Sequence, residues 1–152
     1  MSTEKQQTSI KIMITLGIIN QLTDSWLNKA LAPIGINQSQ FNLLNHFSHQ
    51  PEREQTISQL AQVMQMNQPG ITKVINKLAK DGLIEIRKDE TDGRKKWIRI
   101  NNAGLDKVQL AFMSFMPTIE ACFTNWDNDE MLQMLKHSNK LKDWLDENRD
   151  LN

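Results

Sequence analysis

Apolar residues recur every three or four positions over residues 8–31, which is the period of an amphipathic helix. The recurring positions are Ile12, Leu16, Ile19, Leu22, Trp26 and Ala30. The spacing predicts one long helix, and Pro33 and Gly35 bring it to an end. A shorter helix is predicted next, from an N-cap at Ser39 to about His49.

Two short helices with a polar break between them are predicted before residue 82. Thr56 and Gln59 have the spacing of a capping box at the start of the first helix. Pro69 suits the first turn of the second helix, and Gly82 suits the position after its end. Two helices joined in this way are typical of a helix–turn–helix.

Residues 83–87 and 96–100 alternate between apolar and polar side chains and predict a β-hairpin. The charged segment between them contains Asp92 and Gly93, a pair that favours a tight turn. A hairpin that directly follows a helix–turn–helix indicates a winged helix.

Two further helices are predicted at the end of the chain, with Asn101 and Asp127 as their caps. The predicted fold class is mainly α with a small β-hairpin. It consists of a winged helix–turn–helix over residues 36–100, flanked by long dimerisation helices in residues 1–35 and 101–152.

The charge of the chain is balanced in total but uneven along its length. The 152 residues carry 18 basic and 18 acidic side chains, whereas residues 71–99 carry nine basic against five acidic ones. A basic centre indicates an anionic partner. No apolar run has the length of a membrane span, and the single cysteine excludes an internal disulfide. We therefore expect a soluble cytoplasmic protein without a membrane partner.

The helix predicted over residues 68–81 has one face suited to a core and one suited to DNA. The core positions are Ile71, Val74, Ile75 and Leu78. The opposite face offers Gln68, Gly70, Thr72, Lys73, Asn76 and Lys77. Lysine neutralises phosphates, and Gln and Asn can both donate and accept at base edges. Gly70 and the helix N-terminus would allow close approach of a phosphate.

The predicted hairpin adds a second set of cations, Arg94, Lys95 and Lys96. A guanidinium at a hairpin tip can enter a narrow minor groove. Asp92 is expected to form the turn and also to orient Arg94 through an ion pair. The alternative is a winged helix that binds another protein and does not read DNA. The residues show neither paired catalytic carboxylates nor a phosphate loop, so neither an enzyme nor a cofactor is expected.

Several short motifs of the chain resemble the multiple-antibiotic-resistance regulator (MarR) family. They are Leu60-Ala61, Ile71 to Leu78, Gly82-Leu83-Ile84, Asp92-Gly93-Arg94 and Ile100 to Gly104. The resemblance implies an obligate homodimer that binds pseudo-palindromic promoter DNA, usually as a repressor that a small molecule releases. It also assigns DNA contact to the exposed face described above and to Asp92 and Arg94. The chain departs from the family pattern at Thr91, where the family often has Arg, and at Asn101, where it usually has Thr.

The resemblance implies an effector pocket that lies between the dimer helices and the winged helix. Candidate walls for a small apolar or aromatic effector are Met13, Trp26, Phe41, His46, Phe112 and Phe115. The same residues also suit a plain hydrophobic core. Cys122 is interpreted as a buried structural thiol, with oxidant sensing as the alternative. His46 and His49 are one helical turn apart, but a third metal ligand is not evident, so no metal site is predicted.

Overall fold

The first helix reaches the core only at its C-terminal end, where Leu31 is buried. The structure, a computed structural model, describes residues 1–150. Helix α1 spans Thr3–Leu31 and begins earlier than predicted, because the Ser2 hydroxyl caps the Lys5 N–H at 3.3 Å. A 3₁₀ turn over Ala32–Ile34 follows and ends at Gly35.

Helix α2 spans Gln38–Ser48, and its start corrects the sequence prediction. Asn37, not Ser39, is the N-cap, since its side-chain oxygen accepts from the Gln40 N–H at 2.9 Å. The Gln40 side chain accepts in turn from the Asn37 N–H at 2.9 Å, which completes a capping box. Sequence reasoning chose Ser39 because serine and asparagine are both common N-caps, although Gln40 lies at the capping-box position after Asn37.

The helix–turn–helix is present as predicted. Helix α3 spans Ile57–Met64, and Thr56 and Gln59 form its capping box with bonds of 3.2 and 3.0 Å. Helix α4 spans Gln68–Lys80, and Gly82 after it adopts a left-handed φ of 72°.

The wing is a three-stranded antiparallel sheet rather than a hairpin alone. Strands β2 (Ile84–Lys88) and β3 (Lys96–Ile100) pair with Ile86 opposite Ile98. A two-residue strand, β1 (Gln55–Thr56), pairs with the other edge of β3, so the order is β1-β3-β2. Sequence reasoning missed β1, because two residues are too few to show an alternating pattern.

The core lies where α1, α2, α3, α4 and β3 meet. Its most completely buried side chains are Leu31, Leu43, Leu44, Phe47, Leu60, Ile71, Ile75, Leu78 and Ile98. The packing of α4 on this core fixes which of its faces is left outside.

Helix α5 spans Asn102–Cys122, and helix α6 spans Asn128–Glu147. Asn101 caps α5, since its side-chain oxygen accepts from the Gly104 N–H at 2.9 Å. One compact unit of the chain spans Met1–Phe115, and a second begins at Met116. Asp127 and Glu130 form the capping box of α6, as predicted. Among residues 1–150, no helix has the length and apolar character that crossing a bilayer requires.

Candidate nucleic-acid interface

Helix α4 presents its polar face to the solvent. Ile71, Ile75 and Leu78 are buried beneath it, while Val74 is half-buried. The candidate contact residues Gln68, Lys73, Asn76 and Lys77 are exposed, and Gly70 and Thr72 are half-buried. A shallow hollow is lined by Gln68, Pro69, Thr72, Lys73 and Asn76. The structure therefore brings amide, hydroxyl and ammonium groups together on one accessible surface.

The N-terminus of α4 offers fewer backbone donors than the sequence suggested. The Asn67 side chain caps the helix by accepting from the Gly70 N–H at 2.7 Å. Pro69 has no N–H, so Gln68 supplies the backbone donor at this end of the helix. A Cβ at position 70 would lie 2.9 Å from the Asn67 capping oxygen, a contact that a small shift of the Asn67 side chain would relieve.

Lys77 is held in place by a neighbour on the same helix. Its ammonium group lies 3.1 Å from an Asp81 carboxylate oxygen, one turn further along. Both side chains are partly exposed, so the pair orients Lys77 more than it stabilises the fold.

Asp92 forms the turn of the wing and does not orient Arg94 through an ion pair. Its side-chain oxygen accepts from the backbone N–H of Arg94 at 3.0 Å, and its carbonyl accepts from the Lys95 N–H at 3.0 Å. Within the part of the chain that the structure describes, no ion pair joins the two side chains. Aspartate in a turn commonly accepts from the backbone N–H two residues further on, and this local bond takes the place of the predicted ion pair.

Asp89 organises the wing, and sequence reasoning missed it. Its carboxylate accepts from the Trp97 indole N–H at 3.0 Å, and from the Thr91 and Asp92 amides at 3.3 and 3.0 Å. The indole hydrogen bond, with those from the loop, holds the pKa of the Asp89 carboxyl well below its usual range. The spacing of Asp89, Thr91 and Asp92 is a local turn signal that could have been noticed; the Trp97 bond is not local.

Trp97 carries two cations on the exposed side of the sheet. The Arg87 guanidinium lies 5.8 Å from its ring centroid, and the Lys95 ammonium lies 4.8 Å from it. Arg87 also binds Glu54 through two hydrogen bonds of 2.7 and 3.3 Å, which lower the pKa of Glu54. The positive charge of Lys95 is therefore available on the wing, whereas Glu54 neutralises the positive charge of Arg87.

The structure brings together four of the six candidate effector residues. Phe41 lies at the centre, with ring centroids 5.6 Å from Phe112 and 5.2 Å from Phe115, and Trp26 lies 5.6 Å from Phe115. Phe41 and Phe115 are buried, whereas Phe112 is 41% exposed. His46 contacts the Phe47 ring and binds Gln55 at 2.6 Å instead.

The remaining candidates do not join that cluster. Met13 is 51% exposed. Cys122 is exposed too, which corrects its interpretation as a buried thiol. The reason is that every residue from 121 to 140, apolar or polar, is exposed in the single chain.

A helix–turn–helix with a polar second helix and a basic wing is typical of winged-helix transcriptional regulators. Residues 34–95 match the sequence profile of the MarR family. The chain is also 31% identical over 105 residues to an uncharacterized HTH-type transcriptional regulator, YdcH, from Bacillus subtilis (strain 168). That match covers 66% of this chain and 69% of the relative. The chain belongs to the MarR family.

Solved structures share the fold at lower sequence identity. BldR from Sulfolobus solfataricus has a TM-score of 0.76 at 19% identity, covering 94% of this chain and 99% of that one. A mutant MarR from E. coli, complexed with operator DNA, has a TM-score of 0.72 at 19% identity, covering 88% of this chain and 95% of that one. These likenesses confirm the mainly α, winged-helix fold class.

Proposed function

We propose that the protein is a dimeric repressor that binds pseudo-palindromic promoter DNA through α4 and the wing. The observation that carries the proposal is the exposed face of α4, where Lys73 and Asn76 share one hollow and acidic residues do not intervene before Asp81. The E. coli MarR mutant of the same fold was solved with operator DNA, which supports DNA as the partner of this chain.

We infer that the protein partner is a second copy of the chain, because both compact units expose large apolar side chains. Helix α1 exposes several large apolar side chains, among them Leu22 at 66%. Helix α6 has no buried residue, and it exposes Leu135 at 58%. Exposed apolar surface on this scale marks an association site. A two-fold dimer through residues 1–35 and 101–152 would present two copies of α4 to successive major grooves.

Binding to the duplex upstream of the protein's own gene tests the proposal. Fluorescence anisotropy measures the affinity for this duplex and for a scrambled duplex at two salt concentrations. Sedimentation gives the number of protomers bound to each duplex. We expect two protomers per duplex, preference for the upstream sequence and weaker binding at high salt. Absence of binding at low salt would reject the repressor and favour the protein-interaction module.

Arg94→Ala is expected to weaken operator binding about tenfold and to reduce its salt dependence, because one cation is lost from each wing. Arg94 is exposed and its side chain is free to face a phosphate or a minor groove. Lys140→Ala removes one positive charge from α6, far from α4 in sequence, and serves as the control; with the dimer shown to be intact by sedimentation, its binding should be unchanged. Equal losses in both variants would mean that only the total charge matters.

We also propose that a small uncharged aromatic compound releases the DNA by binding beside Phe112. This ring is exposed at the edge of the cluster formed with Phe41 and Phe115, so an added ring can extend the same edge-to-face packing.

Phe112→Ala should raise the concentration of effector that releases half of the bound operator by about tenfold, because one aromatic contact with the effector is lost. Release of labelled operator by a panel of such compounds provides the measurement. Phe123→Ala removes another exposed aromatic ring, which contacts Trp126, and serves as the control. If neither variant alters release by an active compound, the effector binds elsewhere.

A further inference from the structure

The wing is assembled around a single carboxylate. Asp89 follows β2, and its backbone N–H donates to the Lys95 carbonyl at 3.0 Å, which closes the loop. One carboxylate oxygen accepts from Trp97 in β3, while the other accepts from the Thr91 hydroxyl and two loop amides. The side chain therefore ties the loop that carries Arg94 to the strand that returns from it.

Trp97 contacts both the Asp89 carboxylate and the cationic side chains of the wing. Its indole N–H is held by Asp89, and its ring face lies under Lys95 at 4.8 Å. Arg87 lies on the same ring but is bound by Glu54. The orientation of the ring thus sets where the Lys95 ammonium lies.

We propose that Asp89 and Trp97 form a clip that orders the wing before DNA binds, and that Asp89 is a positioning residue for Arg94 and Lys95. The proposal rests on the DNA-binding function proposed above. An ordered wing loses less conformational freedom on binding than a loose loop, so the clip raises affinity without touching DNA.

If Asp89 acted only through its charge, the effect of its removal on DNA affinity would have the opposite sign. A carboxylate near the phosphates repels them, so its neutralisation would tighten binding if the side chain had no other effect. Asp89→Asn removes that charge but turns one acceptor into an NH₂ group, which then faces N–H or O–H donors. The clip therefore predicts weaker binding, and the sign of the change separates the two explanations.

Glu90→Gln is the matched control, since it neutralises the next carboxylate on the same exposed loop. We expect operator affinity to fall about tenfold in Asp89→Asn and to stay equal or rise in Glu90→Gln, with the melting temperature of both close to that of the unaltered protein. Asp89→Asn binding as tightly as Glu90→Gln would overturn the proposal.

A double-mutant cycle shows whether Asp89 acts through the wing cations. In a chain that already carries Arg94→Ala and Lys95→Ala, Asp89→Asn should cause little further loss of affinity. A full, additive loss in that background would overturn the positioning role. Trp97→Phe, which keeps the ring but removes its N–H, should weaken binding in the same direction and gives a test if Asp89→Asn fails to fold.

Hydrogen exchange of the DNA-free protein tests the clip independently of the proposed DNA-binding function. The Thr91 and Asp92 amides should exchange about tenfold faster in Asp89→Asn than in Glu90→Gln, because their acceptor is lost. Unchanged exchange would overturn the clip even if the protein binds DNA. Faster exchange in a protein that binds no duplex would reject the repressor function and leave the clip as a structural feature.

Discussion

Asn76→Ala should weaken operator binding at least about thirtyfold while changing the affinity for scrambled DNA by a few-fold at most. A bidentate amide contact to a base contributes about 1–3 kcal/mol, and a two-fold dimer makes the contact twice. Asn76 is exposed and lines the α4 hollow, and it lies between Lys73 and Lys77 in sequence. We therefore expect its amide to read a base and the lysines to bind phosphates.

Lys73→Ala provides the contrast, because a phosphate contact carries no sequence information. It should weaken binding to the operator and to scrambled DNA by similar factors, and it should lower the salt slope. Titration of both duplexes with both variants, at one salt concentration, gives the four affinities required. If Asn76→Ala loses affinity equally on the two duplexes, the side chain positions the helix and does not read the sequence.

Gly104→Ala should lower the free energy of unfolding by about 3 kcal/mol, the upper range for overpacking. A Cβ at position 104 would lie 2.3 Å from the Leu83 carbonyl oxygen and 2.6 Å from the Ile100 side chain. The nearest of these atoms belongs to the backbone at the base of the wing. Relief of the clash would therefore require α5 to move away from the sheet.

Gly93→Ala is the control for that experiment. Nothing lies within 4 Å of a Cβ at position 93, and the backbone there is outside the left-handed region. Chemical denaturation at a fixed protein concentration should give a midpoint near that of the unaltered chain for Gly93→Ala and a clearly lower one for Gly104→Ala. Coincident midpoints would mean that α5 can shift at little cost.

The elements that sequence reasoning predicted correctly are those whose causes lie within a few residues of one another. The Thr56 capping box, the stop at Gly82 and the Asp127 cap each depend on backbone N–H groups or dihedral angles within one helical turn. The exposed face of α4 followed from the period of its apolar residues. The local pattern therefore sufficed for the helix–turn–helix and for the surface proposed to contact DNA.

Tertiary structure alone decided the features that join distant parts of the chain. Strand β1 exists because Gln55 pairs with Ile98, and Gly104 is required because α5 begins against the Leu83 carbonyl. Asp89 rather than Asp92 anchors the wing because Trp97, on the returning strand, points its indole N–H at it. Such contacts form only once the core has fixed the separation of the elements, so their residues show no periodicity or spacing along the chain.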